Sequence, residues 1–164
     1  MSDDLAADLR LPGLASLAQR VAAGPRATLL EEALGMLASA TSARGAYAFD
    51  AQGKLRQQVS FLAEAHPAPE TLRTALGHLA SRCLGEEGAV LLPDIRRDRG
   101  GIEDVGEIAA LGATGVVAVS AASRGTPWGA LVLLLPPTEE ATNDHVALLR
   151  TVGALLAIAS ERDA

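Results

Sequence analysis

Aromatic residues are almost missing from this chain: Tyr47, Phe49, Phe61 and Trp128 are the full set in 164 residues. A site that grips a ligand by ring stacking therefore has little to draw on. The core must be built from Ala, Leu and Val instead. Cysteine is reduced to Cys83. One thiol cannot close an internal disulfide, and no Cys/His set has zinc-site spacing, so no metal is expected. This fits a reducing compartment. Long apolar runs are absent too. The stretch Ala130 to Leu135 is of strand length, too short to span a bilayer. Positive charge is scarce: the formal net charge is −6, and Lys54 is the only lysine. Broad nucleic-acid binding needs clustered basic charge, and an anionic membrane surface attracts it; both are excluded as expected partners. The start, Met1-Ser2-Asp3-Asp4, is acidic and carries no apolar signal core, so the expected location is cytoplasmic.

Catalytic signatures are missing as well. There is no Walker loop, GxSxG or HExxH. Glu86-Glu87 and Glu139-Glu140 are neighbours in sequence and do not face each other as an acid/base pair must. No nucleophile–base–orienter set emerges, so the expectation is a non-enzymatic protein without cofactor.

What is present is the composition of one globular domain, 49% hydrophobic and 21% charged. Residues 1–24 read as a separate extension, with Leu14, Leu17, Ala18 and Val21 on one helical face and Gly24-Pro25 ending it. The main domain is expected over 25–164. Thr28-Leu29-Leu30-Glu31 fits a capping box that opens a helix running to about Ser42. Arg44 to Asp50 alternates as a strand, with Tyr47 and Phe49 on one face. Asp50 to Gly53 is a turn, and Lys54 to Leu62 a second strand. A helix after Pro69 places Leu72, Leu76, Leu79, Ala80 and Cys83 on one stripe, which makes Cys83 a buried small hydrophobe rather than a reactive thiol.

Ala89 to Leu92 is a short strand, and 94–113 a polar loop with one helical turn near Val105 to Leu111. Thr114 to Ala122 and Trp128 to Leu135 are two further strands. The last is apolar on both faces, as a central strand covered on both sides would be. Thr142 caps a final helix whose stripe is Leu148, Leu149, Val152, Leu155, Leu156 and Ala159. The order helix, hairpin, helix, strand, loop, hairpin, helix gives an α+β sandwich: an antiparallel sheet of about five or six strands, with the N- and C-terminal helices packed on one face.

Three stretches together resemble the GAF family, from Thr28 to Arg162. The first is Leu29 to Leu34 leading into Arg44-Gly45-Ala46-Tyr47-Ala48-Phe49-Asp50. The second is Val90-Leu91-Leu92-Pro93-Asp94-Ile95-Arg96-Arg97-Asp98, similar to that family's strand and Asp-hydrophobic-Arg-x-Asp loop. The third is Leu111 to Val119 with Arg124-Gly125 and Trp128-Gly129-Ala130-Leu131-Val132-Leu133. The resemblance implies a GAF/PAS-like sandwich that binds small ligands between its sheet and its loop-and-helix face, dimerises through terminal helices, and serves bacterial signalling proteins. The Asn-Lys-Phe-Asp-Glu signature of the cyclic-nucleotide members has no match here. Cys83 is followed by Leu84, not by the His usual in bilin-binding members. A single cysteine is too few for the thiol–disulfide cycle of the sulfoxide-reducing members.

The expected function is a regulatory module acting through protein contacts and homodimerisation, with a signalling protein as a further partner. Leu14, Leu17, Val21, Leu148, Val152, Leu155, Leu156 and Ala159 are its candidate interface. One stripe must cover the sheet, so packing within the monomer is the competing use of these residues. An alternative is a small-molecule sensor, its unknown ligand held between the sheet and the 94–110 loop by Tyr47, Phe61, Asp94, Arg96 and Val119. A third is a Roadblock-like regulator of a small GTPase, since Gly45 to Gly53 also looks like that family's first hairpin. The Asp94-Arg96-Arg97-Asp98-Arg99 cluster offers arginines to an anion, but is read first as a solvated loop with internal ion pairs. His66, His78 and His145 read as solvated, and Trp128 as lining a pocket or an interface or, equally, as covering the end of the sheet.

Overall fold

In the computed structural model the described residues are 29–60, 70–98, 108–109, 112–123 and 126–163. The capping residue Thr28, the 1–24 extension and Phe61 lie outside them.

Among the described residues, three α-helices and five strands make up the architecture: α1 (Leu29–Thr41), β1 (Gly45–Asp50), β2 (Leu55–Ser60), α2 (Glu70–Arg82), which runs on into a π-helical turn at Cys83–Glu87, β3 (Ala89–Leu92), β4 (Gly115–Ser123), β5 (Thr126–Leu135) and α3 (Asn143–Asp163). The strands form one open antiparallel sheet in the order β2-β1-β5-β4-β3. The strand that is apolar on both faces, β5, is the central one.

Side chains alternate across a strand, so each strand feeds two cores. Ala46, Ala48, Val117, Val119, Leu131, Leu133 and Leu135 point to a layer formed by α1 and α3. Tyr47, Phe49, Val116, Ala118, Ala130, Val132 and Leu134 point the other way, to α2 with Ile95 and Ile108. Each buried Leu or Phe stabilises by about 1.5–3 kcal/mol. The two terminal helices share one face, as expected, and α2 covers the other.

Local chemistry sets the boundaries. Glu31 and Glu32 in the first turn of α1 complement its positive end. At the other end Thr41 Oγ1 donates to Leu37 O at 2.7 Å. Ser42 takes φ +56° and Ala43 N–H donates back to Ala38 O at 3.0 Å, a Schellman closure with serine where glycine is favoured. The β1–β2 turn is held by Asp50, whose Oδ1 accepts the N–H groups of Gln52 and Lys54. Gly53 supplies the φ of +80° that the turn needs.

Two glycines let layers approach. A Cβ on Gly129 would collide with the Phe49 carbonyl oxygen across the β1–β5 pair. A Cβ on Gly153 would come within 2.9 Å of Ala121 Cβ, so its absence lets α3 lie close on β4.

Candidate functional site

The sheet face toward α2 is the place where a ligand was expected, and it is filled. Leu72, Leu76, Leu79, Ile95 and Ile108 are all fully buried there beside Tyr47. Cys83 lies in the same cluster, consistent with its place on the helical stripe. The Tyr47 hydroxyl has no hydrogen-bond partner among the described residues, and burial pushes its pKa up to about 12.

Of the residues grouped as a ligand pocket, Asp94 and Arg96 adjoin each other, but Tyr47 and Val119 face opposite layers. Tyr47 pairs with Val132 on β5, and Val132 with Ala118 on β4. Tyr47 therefore shares a row with Ala118, while Val119 projects through to the α1/α3 layer. Period-two alternation forbids both from lining one cavity. Phe61 lies outside the described residues.

Asp94 and Arg96 sit at one end of the sheet, in the turn after β3. Ile95 N–H donates to Thr114 O at 2.8 Å, which anchors the turn and drives the Ile95 side chain into the core. Both oxygens of the Asp94 carboxylate are engaged by Arg96. Its Oδ1 accepts Arg96 N–H and Nε–H, and its Oδ2 accepts Nη2–H, each at 2.9 Å. The Arg96 hydrogen bonds, more than its charge, pull the Asp94 carboxyl down to about 2. The internal-ion-pair reading of this loop is thus the one the geometry favours, and Arg96 is already occupied. The turn borders an open cleft of about 510 Å³ with Arg97, Asp98, Thr114 and Glu139 on its walls.

His145 corrects the reading of it as solvated. It is 3% exposed, one turn before Leu149 on the sheet-facing stripe of α3. Its Nδ1 accepts the Thr142 backbone N–H at 3.1 Å, with Thr142 Oγ1 at 3.2 Å. A backbone N–H can only donate, so the ring proton sits on Nε2, which faces Glu139 Oε1 at 3.2 Å. This is one half of a capping box: histidine at the third helical position takes the role of Glu or Gln, while its own N–H donates to Thr142 O rather than to the Thr142 hydroxyl. The Thr142-x-x-His145 spacing is the signal that could have revealed it.

The interface residues divide. Leu148, Val152 and Leu156 are buried in this chain's own α1/α3 core, because that stripe is the one that covers the sheet. Leu155 is half-buried beside them. Leu14, Leu17 and Val21, and the side chain of Ala159, lie outside the described residues. The outward face of α3 is instead Ala147, Thr151, Ala154 and Ile158, at i, i+4, i+7 and i+11. Ile158, 42% exposed, is the large hydrophobic side chain left in solvent among the described residues. Trp128 is half-buried against the α1/α3 core.

A second cleft, of about 480 Å³, lies between the β1–β2 turn and the outward side of α2, lined by Lys54, Arg73, Thr74, His78 and Ser81 over Phe49 and Leu55. The sequence did not point to it, because it forms only where a turn and a distant helix meet. Among the described residues no group of three His, Cys, Asp or Glu side chains is placed to hold a metal ion. No described helix is long and apolar enough to cross a membrane.

Comparison with known proteins places this geometry. The fold is similar to the GAF domain of an Acinetobacter phosphoenolpyruvate-protein phosphotransferase, at 14% identity and TM-score 0.67 over 93% of each chain. It is also similar to an A. aeolicus GAF domain in an inactive state, at 10% identity and TM-score 0.68 over 97% of this chain and 99% of that one. Free methionine-R-sulfoxide reductase from Neisseria meningitidis, in complex with its substrate, shares the fold at 16% identity and TM-score 0.67 over 96% and 93%. No curated protein matches the sequence. The GAF domain model matches residues 25–159, so the filled sheet, its three covering helices and the Asp94–Arg96 turn belong to a member of the GAF domain family.

Proposed function

We propose that this GAF domain is a non-catalytic regulatory module that acts through protein contacts, self-association included. The observation that carries this is the contrast between the two sides of the molecule. The sheet face toward α2 is packed with large buried side chains. The outward face of α3 leaves Ile158 in water at the end of a row of small residues. Small side chains let a second helix approach closely, and a protruding Ile supplies an apolar anchor for a symmetric contact. The proposed interface is therefore shifted one position from the sheet-covering stripe, to Ala147, Thr151, Ala154 and Ile158. A signalling protein with a matching apolar helix is the further partner.

Sedimentation of the chain at micromolar concentration tests this reading. A dimer that Ile158→Asp converts to a folded monomer supports it. A wild-type monomer, or a dimer indifferent to Ile158→Asp, refutes it.

The sensor alternative has one supporting observation, the cleft beside Asp94, Arg97 and Glu139. It is weakened by the pairing of Asp94 with Arg96, which engages the carboxylate and two of the guanidinium's N–H donors. The GTPase-regulator alternative rests on the likeness of the first hairpin and the sandwich fold alone.

A further inference from the structure

The cleft between the β1–β2 turn and α2 inverts the charge of the protein that carries it. The chain as a whole is at −6. Yet among the described residues the cleft walls hold Lys54, Arg73 and His78 and no carboxylate. The turn's own acid, Asp50, has one carboxylate oxygen committed to the N–H groups of Gln52 and Lys54, which fixes the turn. The only lysine of the sequence is thus set at the tip of a rigid hairpin, facing a helix.

The helix contributes in register. Arg73, Thr74, Gly77, His78 and Ser81 recur at i, i+1, i+4, i+5 and i+8, so they share the side of α2 opposite its buried stripe. Two cations, an imidazole and two hydroxyls converge on one space. Gly77 keeps its middle open: a Cβ there would meet only Gly53 O, at 3.6 Å. The half-buried Leu55, backed by the buried Phe49, gives the cleft its apolar side. Its volume of about 480 Å³ falls within the range of small-molecule sites, which combine apolar walls with a few convergent polar groups.

From this arrangement we infer that the cleft binds a small organic phosphate, a phosphate monoester whose apolar body lies against Leu55 and whose dianion meets Lys54 and Arg73. An Arg fork and a Lys point charge suit phosphate oxygens, and hydroxyl groups complete the donor set. None of the residues in the Asp94 turn lines this cleft, so it is separate from the cleft beside Asp94. The inference holds whether or not the chain self-associates through α3.

The test is a titration of the full chain with phenyl phosphate, followed by amide NMR, with inorganic phosphate and benzyl alcohol as separate probes. The expected result is saturable shifts at Gly53, Lys54, Gly77 and His78, tighter for phenyl phosphate than for either fragment, and weakened by added salt. Lys54→Gln and Arg73→Gln replace exposed side chains and should leave the fold intact. Each should weaken binding by about tenfold, the equivalent of ~1.4 kcal/mol. Absence of shifts, shifts centred on Arg97 instead, or binding unchanged in both variants would overturn the inference. So would binding of a phosphoserine peptide with none of phenyl phosphate.

Discussion

Replacing His145 should destabilise the protein through a helix cap rather than through lost charge. The ring accepts the Thr142 N–H at 3.1 Å and donates to Glu139 at 3.2 Å, while itself 3% exposed. His145→Ala leaves the first N–H of the box without its acceptor, a loss of about 0.5–2 kcal/mol. Removing a buried ring adds a cavity cost, so the sum is roughly 2–3 kcal/mol. For a chain of this size that is a fall in Tm of about 4–10 °C. His145→Gln separates the terms, since glutamine is an ordinary residue at this position of the box and its Oε1 can accept the same N–H. It should recover about half of the loss. Chemical denaturation with unchanged m-value is the assay. Long-range ¹H–¹⁵N spectra of the wild type should show the proton on Nε2 and an unprotonated Nδ1. A stable His145→Ala, a His145→Gln as damaged as His145→Ala, or a proton found on Nδ1 would refute the reasoning.

Other outcomes follow from the same geometry. Tyr47→Phe should be neutral or stabilising near pH 7, because it removes a buried hydroxyl that has no partner among the described residues; a large loss in thermal melts would mean the hydroxyl is bonded. The raised Tyr47 pKa favours the neutral phenol in the folded state, so its stabilising effect is complete below pH ~10 and lost as pH climbs toward about 12. Wild type should lose roughly 2–3 kcal/mol over that window that Tyr47→Phe keeps, as measured by alkaline denaturation. Asp94 should titrate near 2 by carboxyl NMR and return toward the ordinary carboxylate range in Arg96→Gln, a value unmoved by that change being the contrary result. The sign at low pH is the opposite of that for Tyr47: the Asp94 contribution is present above its ordinary value and is lost as the solution is acidified toward 2. Ser42→Gly should raise stability by up to about 1 kcal/mol, since Ser42 occupies φ +56° at the closure of α1; a fall in Tm would contradict this.

Much of the fold is readable from spacing. Tyr47 and Phe49 alternate with alanines because β1 presents rings to α2 and small side chains to the helices on the other face. The unbroken apolar run of β5 needs cover on both sides, and the strand lies in the middle of the sheet. What spacing does not carry is which residues of separate strands share a row. Tyr47 and Val119 look equally suited to a pocket until the pairing through Val132 puts them on opposite faces. The α3 stripe has the same ambiguity. Leu148, Val152 and Leu156 are equally good for a partner helix or for this chain's own sheet, and the sheet takes them. A polar residue in a first helical turn is usually solvated, yet His145 lies four residues before Leu149 on the buried side. The Asp94–Arg96 bridge was within reach of sequence, since a two-residue spacing in a tight turn brings both side chains to one edge. The cleft of Lys54 and Arg73 was not, because it joins segments that only the packing of a turn on a helix brings together.

The central claim is that this domain works by contacts of α3 with another chain and not by enclosing a ligand under α2. A native mass spectrum of the freshly purified chain reports both at once. The predicted result is a species of twice the 16.8 kDa chain mass, without a tightly held adduct, that Ile158→Asp reduces to the single chain. A monomer carrying a stoichiometric small molecule would contradict the claim.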